Sequence, residues 1–275
     1  MNVVSQPPVI RVLWTGGLDS SYRMVQLSRR EVWVQPYYLS DDRRSEQQEL
    51  NSIAEITRDI QDHHDTVCRI LPLMTSRVED IGPDKRITGA YRRLRRATGI
   101  GSQYDWLARF AKSIAALELC VEKAESSKAL KCILKYGALR LQYDTSNDPY
   151  YVIDEDRSSD DLIRVFGPFR YPIIDKTKLD IIEAFKRLGF EQTMHKTWFC
   201  YTPIDGKPCG VCSPCKSAIE EGLRFRFTEA ALERYENRPR TSTVMKIVGV
   251  ALSRLRILDV AEDIWKKRAR RRRPS

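Results

Sequence analysis

The sequence lacks any long hydrophobic run. No stretch approaches the roughly 20 apolar residues that a membrane-spanning helix needs, and residues 1–8 contain no basic region followed by an apolar core. These two absences predict a cytoplasmic protein with no membrane partner. With 275 residues, 42% of them hydrophobic and 31% charged, the chain can form one α/β domain with an appendage, or two modest lobes.

Two common nucleotide-binding motifs are also absent from the end of the first apolar run. Residues 14–21 read Trp-Thr-Gly-Gly-Leu-Asp-Ser-Ser, which has neither the P-loop spacing nor the dinucleotide spacing of glycines. The segment lies between an apolar run at 9–13 and an amphipathic stretch at 22–27, so we interpret it as a strand, a tight loop and a helix start. The alternative interpretation is an ordinary Gly-Gly turn.

The residue types of this loop favour phosphate binding. Paired glycines let the backbone approach an anion, and Ser20 and Ser21 add hydroxyls and N–H groups where a helix begins with partial positive charge. Asp19 offers the carboxylate that a Mg²⁺ ion bridging phosphates needs.

Strands and helices are predicted to alternate after this loop. A strand at 32–39, an apolar helical stripe at 46–60 and a strand at 66–71 predict a parallel sheet with helices on both faces and ligands at the carboxyl ends of its strands. We expect an irregular excursion at 76–101, a helix at 104–124, a strand at 129–137 and a loop at 144–161. Thr177 is the predicted N-cap of a helix that ends near residue 188.

Four of the seven cysteines fall within sixteen residues. Cys200, Cys209, Cys212 and Cys215 have the spacing C-x8-C-x2-C-x2-C. Four thiolates this close in a cytoplasmic chain are typical of a structural Zn²⁺ site with no open coordination position, and an iron–sulfur cluster is the rival interpretation. The other three cysteines lie in apolar runs and are predicted to be buried small residues.

The positive charge is concentrated at the C-terminus. Residues 266–273 contribute seven of the ten net positive charges. Such a run is usually solvated, and it could also contact an acidic partner such as nucleic acid or protein. A second basic cluster, at 92–96, is interpreted as a solvated helix face or as part of a wall around an anion.

The loop resembles the S-G-G-x-D-S pyrophosphate loop of the PP-loop ATP pyrophosphatases, with Thr15 at the first serine position. The loop and the cysteine pattern together, about 180 residues apart, resemble the 7-cyano-7-deazaguanine synthases of the queuosine and archaeosine precursor pathway. The resemblance spans roughly residues 9–222. It implies a PP-loop sheet and an enzyme that uses ATP to adenylate the carboxylate of 7-carboxy-7-deazaguanine. Ammonia then gives the amide, and a second activation gives the nitrile.

The resemblance also implies roles for individual residues. Thr15, Gly16, Gly17, Leu18, Asp19, Ser20 and Ser21 would hold the phosphates and Mg²⁺, and Tyr38, Leu39 and Ser40 would seat adenine. Lys178 would be a cation near the α-phosphate, which makes Asp19, Ser20 and Lys178 the predicted catalytic residues. A solvated helix lysine is the alternative for Lys178. Family members are often homodimers.

The predicted substrate pocket departs from the family pattern. The family's Pro-Gly-Arg-Asn stretch is replaced by Ile-Gly-Ser-Gln, so that Gly101, Ser102 and Gln103 occupy the substrate-binding positions. The family's Tyr-Pro-Asp element is missing from 144–161, where Tyr143, Asp144, Asp148 and Tyr151 are candidate substitutes.

Three other functions compete with the synthase. A divergent synthase-like enzyme, of the sort that accompanies anti-phage defence systems, would adenylate a carboxylate and transfer it to an amine on a protein or nucleic acid. A non-catalytic ATP-binding scaffold would keep the fold and the metal site. A tRNA thiolase is less compatible, because four clustered cysteines suit a closed metal site better than separated redox thiols.

We therefore divide the chain into four parts. Residues 1–190 form the ATP-binding α/β domain, and 191–222 form the four-cysteine zinc knot. Residues 223–265 form a helical extension, and 266–275 form a basic, disordered tail.

Overall fold

The computed structural model describes residues 7–145 and 147–239. Its main sheet contains the strands β1 (Val9–Leu13), β2 (Trp33–Ser40), β3 (Arg69–Ile70), β4 (Met74–Arg77), β5 (Leu117–Glu118) and β8 (Phe169–Arg170). A separate antiparallel hairpin contains β6 (Ala138–Tyr143) and β7 (Pro149–Asp154). The helices are α1 (Leu18–Ser28), α2 (Glu46–Asp62), α3 (Lys85–Thr98), α4 (Gln103–Ala111), α5 (Lys128–Tyr136), α6 (Asp160–Phe166), α7 (Lys178–Arg187), α8 (Glu191–His195), α9 (Ser213–Glu220) and α10 (Glu229–Glu236).

The main sheet is parallel throughout. Its strand order is β3-β2-β1-β5-β8, and β4 extends the sheet beside the far end of β2. The chain leaves β1 for β2 on one side and later returns to β5 on the other. The carboxyl end of β1 is therefore a topological switch point, where open α/β sheets bind their ligands.

Helices cover both faces of this sheet, as the sequence predicts. One apolar core packs α1, α2 and α7 against the sheet through side chains such as Leu27, Ile56 and Phe185. The other core packs α3 to α6 on the opposite face through side chains such as Leu94 and Phe166. The α/β architecture predicted from the sequence is therefore confirmed.

The middle of the chain corrects several predictions. Residues 85–98 form α3, whose buried residues Ile87, Ala90, Tyr91 and Leu94 follow a helical period. The predicted long helix at 104–124 is a short α4 followed by the two-residue strand β5. The predicted strand at 129–137 is α5, because its buried residues Ala129, Cys132 and Ile133 have helical spacing.

The predicted loop at 144–161 is also partly regular. Only its first residues form a turn, because β7 pairs with β6 over six residues and α6 begins at Asp160. The prediction of an N-cap at Thr177 is confirmed: its hydroxyl accepts a bond from the N–H of Asp180, whose carboxylate accepts the N–H of Thr177 at 2.8 Å.

The C-terminal region is helical as far as the structure describes it, with α9, a 3₁₀ turn at Arg224–Arg226, and α10. The rest of the predicted extension and the basic tail lie outside the described residues. Among the described residues, no helix is both long enough and apolar enough to cross a bilayer.

Candidate active site and metal centre

The loop after β1 is shaped by Gly16. Its backbone has φ of 69°, and a Cβ atom there would lie 2.9 Å from the carbonyl oxygen of Glu49, so a side chain would be both strained and crowded. The Gly16 carbonyl accepts the N–H of Trp198 at 2.8 Å and the hydroxyl of Ser52 at 3.2 Å. The loop is therefore fixed by α2 on one side and by the segment before the cysteines on the other.

The start of α1 is suited to binding an anion. Its N-cap, Gly17, makes no side-chain capping bond, so the first helical N–H groups depend on another acceptor. Ser20 is buried and its hydroxyl makes a long 3.4 Å contact with the Gly17 carbonyl. Thr15 is exposed, whereas the buried Ser21 hydroxyl accepts the indole N–H of Trp14 at 3.0 Å. The geometry gives Ser21 a structural contact within the loop.

A cluster of opposite charges lies beside this helix start. Lys178, the first residue of α7, contacts Glu221 at 2.5 Å and Glu122 at 3.9 Å through its ammonium nitrogen. Asp19 lies within the field of all three groups. Burial, followed by the charge of Glu122, raises the pKa of Asp19 to about 7, although Lys178 acts in the opposite direction. Three carboxylates thus surround one lysine, and we call these four residues the acid–lysine cluster.

The acid–lysine cluster has the character of a divalent-cation site. One oxygen of Glu122, Oε2, is buried without a hydrogen-bond partner among the described residues. Burial also raises the pKa of Glu122, which favours its neutral form. With its three carboxylates ionised, the cluster would hold more negative charge than Lys178 alone can balance. Hard oxygen ligands with excess negative charge fit Mg²⁺.

Tyr104, which the sequence analysis missed, is close enough to Asp19 for their charges to interact. Burial raises the pKa of Tyr104 well above its usual range, and the charges of Tyr201 and Asp19 contribute to the shift. Tyr104 is in the first turn of α4, directly after Gly101, Ser102 and Gln103. The three predicted substrate residues therefore directly precede a residue whose charge interacts with that of Asp19. The side chains of Ser102 and Gln103 are exposed.

The side chains of the three residues predicted to seat adenine are buried or hydrogen-bonded within the protein. The Tyr38 side chain is buried and its hydroxyl donates to Glu49 at 3.0 Å, Leu39 is buried, and the Ser40 hydroxyl donates to Glu46 at 2.7 Å. However, Tyr37 is the last residue of β2 that pairs with β1, and β2 continues for three residues beyond it. The main-chain groups of residues 38–40 on that side extend past β1, toward the switch point.

The four cysteines form one compact cluster. Their Sγ atoms all lie within 4.8 Å of one another, with Cys209–Cys215 at 3.8 Å and Cys200–Cys212 at 3.9 Å, and none forms a disulfide. A tetrahedral ion with metal–sulfur bonds of about 2.3 Å requires sulfurs about 3.8 Å apart. The Cys209 sulfur also accepts the N–H groups of Val211 and Cys212, at 3.4 and 3.3 Å. The cluster is consistent with one Zn²⁺ ion.

The turns of this cluster depend on its packing against α10. Gly210 has φ of 82°, and a Cβ there would meet the Ala231 carbonyl oxygen at 2.0 Å. Arg234 of α10 donates to the Cys209 carbonyl at 3.0 Å. The cluster is joined to the phosphate loop through Trp198, two residues before Cys200, and to the acid–lysine cluster through Glu221, the residue after α9.

Two acids proposed as substitutes for the family's substrate residues are engaged elsewhere. Asp144 accepts from Arg30 at 3.0 Å, and Asp148 accepts from the buried Arg23 at 2.7 Å. Arg23 also makes a two-bond contact with Glu118, each bond 2.7 Å long. These ion pairs attach the hairpin to α1, so in this structure Asp144 and Asp148 serve its attachment.

Comparison with known proteins supports the family resemblance. The family model of QueC, described as queuosine biosynthesis protein QueC, matches residues 164–224. That segment contains Lys178, Glu221 and all four clustered cysteines, and it confirms the resemblance over this part of the chain. Comparison with curated proteins gives no significant match.

Proposed function

We propose that this chain is an ATP-dependent C–N ligase of the 7-cyano-7-deazaguanine synthase type. The observation that carries the proposal is the convergence of three elements on the start of α1: the phosphate loop, the acid–lysine cluster, and the four-cysteine segment held to Gly16 by Trp198. The QueC match includes the four-cysteine segment and, of the acid–lysine cluster, Lys178 and Glu221, but it does not include the loop, Asp19 or Glu122. The loop itself supplies the local chemistry of phosphate binding.

ATP would lie with its phosphates at the N-terminus of α1 and its adenine against the extended end of β2. Asp19 and Glu122 would hold Mg²⁺, which would neutralise charge on the phosphates. Lys178, whose ammonium contacts Glu221, would turn from that carboxylate to an α-phosphate oxygen when ATP binds. The protein's contribution is positioning and electrostatic stabilisation while a substrate carboxylate oxygen attacks the α-phosphorus.

The same residues account for the later steps of the proposed reaction. Attack on the α-phosphorus releases pyrophosphate and leaves an acyl adenylate, and ammonia then displaces AMP to form the amide. A second ATP activates the amide oxygen, and loss of AMP gives the nitrile. The start of α4, where Ser102 and Gln103 are exposed, would contact the heterocycle together with Gly101. The four cysteines would hold Zn²⁺ and take no part in the chemistry, because they leave no coordination position open.

One observation favours a second candidate with the same first step. Two of the candidate substitutes for the missing family substrate residues, Asp148 and Asp144, are bound to Arg23 and Arg30. Recognition of the heterocycle or of the amine would therefore differ from the family pattern. A divergent enzyme would form the adenylate at the same loop and transfer the acyl group to an amine on a protein or nucleic acid.

Product analysis tests these proposals. Purified protein is incubated with ATP, Mg²⁺, ammonia and 7-carboxy-7-deazaguanine, and AMP, pyrophosphate, amide and nitrile are measured by mass spectrometry. We expect AMP, pyrophosphate and nitrile. A product that stops at the adenylate or amide favours the divergent enzyme. Tight ATP binding without turnover on any tested carboxylate would favour a scaffold and contradict the ligase. Elemental analysis should give about one zinc per chain, and iron in its place would overturn the metal assignment.

A further inference from the structure

A second groove lies outside the acid–lysine cluster. Its volume is about 550 Å³, and it lies between α2 and two segments, 195–199 and 225–226. None of Asp19, Glu122, Lys178 and Glu221 lines it. Its floor touches the back of the phosphate loop, because the hydroxyl of the lining residue Ser52 donates to the Gly16 carbonyl.

Aromatic rings form one side of this groove. Trp198, Phe199 and Phe225 all line it, and Phe225 is 66% exposed although it is a large apolar side chain. The Phe225 ring lies nearly perpendicular to the ring of His195, with centroids 5.4 Å apart. An exposed ring at the mouth of a groove offers a stacking surface for a planar ligand.

The opposite side contains an acceptor without a donor. Gln48 of α2 lines the groove, and its carbonyl oxygen Oε1 is buried with no hydrogen-bond partner among the described residues. A buried polar atom without a partner is destabilising, so a ligand gains affinity when the Gln48 amide turns into the groove and Oε1 accepts an N–H from that ligand.

Arg226 also lines the groove, and no carboxylate among the described residues pairs with it. Arg226 lies over the Phe199 ring at 4.7 Å and donates to carbonyl oxygens of Thr197 and, at 3.2 Å, of His195. Within residues 7–145 and 147–239 it forms no ion pair, and burial lowers its pKa to about 10. A guanidinium that lacks a carboxylate can accept a phosphate as its counter-ion.

We propose that this groove binds a nucleotide whose base carries an exocyclic amino group. The base stacks on Phe225, its amino group donates to Gln48 Oε1, and its phosphate lies at Arg226. Both a free mononucleotide and a nucleotide within a single strand have this chemistry. The proposal rests on the groove alone and is independent of the ligase reaction.

The test is fluorescence anisotropy with the full chain and a labelled short oligoadenylate. ATP and added Mg²⁺ are omitted, so that the phosphate loop is not being measured. We expect saturable binding that is weaker for oligouridylate, which lacks an exocyclic amino group. Phe225→Ala should weaken oligoadenylate binding by about tenfold, and Gln48→Leu should remove the preference for adenylate.

Matched controls are available on the same molecule. Gln61→Leu changes an exposed glutamine of α2 far along the helix, and Leu134→Ala removes an exposed apolar side chain from α5, so neither should alter binding. Competition by AMP would identify a mononucleotide as sufficient, whereas competition by unlabelled oligoadenylate alone would identify the strand. The proposal is overturned if nothing binds, if adenylate and uridylate bind equally, or if Phe225→Ala and Gln48→Leu both bind like the unchanged protein.

Discussion

The phosphate-loop region and the cysteine cluster differ in how far their charged and polar groups are paired within the protein. Around Asp19, the carboxylates of Asp19, Glu122 and Glu221 share one lysine, and Glu122 retains an oxygen with no partner among the described residues. Around Cys209, three of the four cysteines are buried, and the Cys209 sulfur accepts backbone N–H groups from its own turn. Under the proposed function, an exchangeable cation and ATP would balance the charge of the first region. The second is closed and suits a resident ion, so the two should respond differently to substitution.

The largest effect is expected from removal of one cysteine of the four-cysteine cluster. Cys215→Ser removes one of four ligands, and we expect loss of the bound metal and a fall in melting temperature of roughly 10 °C or more, since 1 kcal/mol corresponds to about 2–4 °C in a domain of this size. Elemental analysis and thermal unfolding measure both. Cys68→Ser, which alters a cysteine outside the cluster, is the control. Full metal content in Cys215→Ser would contradict the four-ligand assignment.

The acid–lysine cluster should show the reverse pattern. Asp19→Asn should lower ATP turnover by a factor on the order of 10² to 10³, because Mg²⁺ would lose a carboxylate ligand and would stabilise the charge of the transition state less well. Without Mg²⁺, its melting temperature should be unchanged or higher, because burial of the Asp19 carboxylate is unfavourable. Asp62→Asn, at the exposed end of α2, is the matched control. Undiminished turnover in Asp19→Asn would show that Mg²⁺ is held elsewhere.

Substitution of Lys178 distinguishes the roles of the two regions. Lys178 belongs to the acid–lysine cluster, but its partner Glu221 lies next to the cysteine segment. Lys178→Gln should reduce turnover by about 10² with little loss of metal from the cysteines, and Lys178→Arg should restore part of it. Lys186→Gln changes a more exposed lysine at the end of the same helix and should be neutral. Steady-state kinetics on these variants decides between a role in catalysis and a solvated surface lysine.

A pH experiment sharpens the comparison further. The pKa of Asp19 in the folded chain, about 7, exceeds its ordinary value of 3.8, so its contribution to stability is present below about pH 4 and is lost as the pH rises toward 7. Mg²⁺ requires the ionised carboxylate. We therefore expect Mg²⁺ binding to tighten from pH 6 to pH 8 and to release a proton, which calorimetry in two buffers of different ionisation enthalpy detects. Asp19→Asn should bind weakly with no proton release at either pH.

The smallest effect concerns the local structure that positions Lys178. Thr177→Ala removes the hydroxyl of the capping box and should lower the free energy of unfolding by about 1 kcal/mol. Thr177→Ser keeps the hydroxyl and should lose little. Denaturant unfolding of both variants provides the measurement, and equal losses would mean that the capping bond contributes nothing.

How far the sequence could predict this molecule depends on whether the signal is local. The phosphate loop, the cysteine spacing and the Thr177 cap are each written in a few adjacent residues, and the structure gives them the expected local form. The strand β5 is only two residues long and exists because Leu117 and Glu118 pair with β1 and β8. Nothing within residues 104–124 distinguishes it from a helix, so Glu122, which follows it, could not be placed beside Asp19.

Other parts of the site depend on contacts between residues that are distant in sequence. Tyr201 directly follows Cys200 and Glu221 lies shortly after Cys215, but only the fold brings them near Tyr104 and Lys178. In contrast, the helical spacing of Ile87, Ala90, Tyr91 and Leu94 in α3 was available in the sequence. The neighbouring arginines and Gly82-Pro83 obscured it. Three of the arginines in the basic cluster at 92–96 are exposed on α3, and Arg93 pairs with Asp161.

The most direct test of the account follows an oxygen atom. The protein is supplied with ATP, Mg²⁺, ammonia and 7-carboxy-7-deazaguanine labelled with ¹⁸O in its carboxylate, and the nucleotide products are analysed by mass spectrometry. If the carboxylate attacks the α-phosphorus at the phosphate loop, the AMP carries ¹⁸O and the pyrophosphate carries none. Formation of ADP, or of AMP that contains no label, would contradict the proposed adenylation.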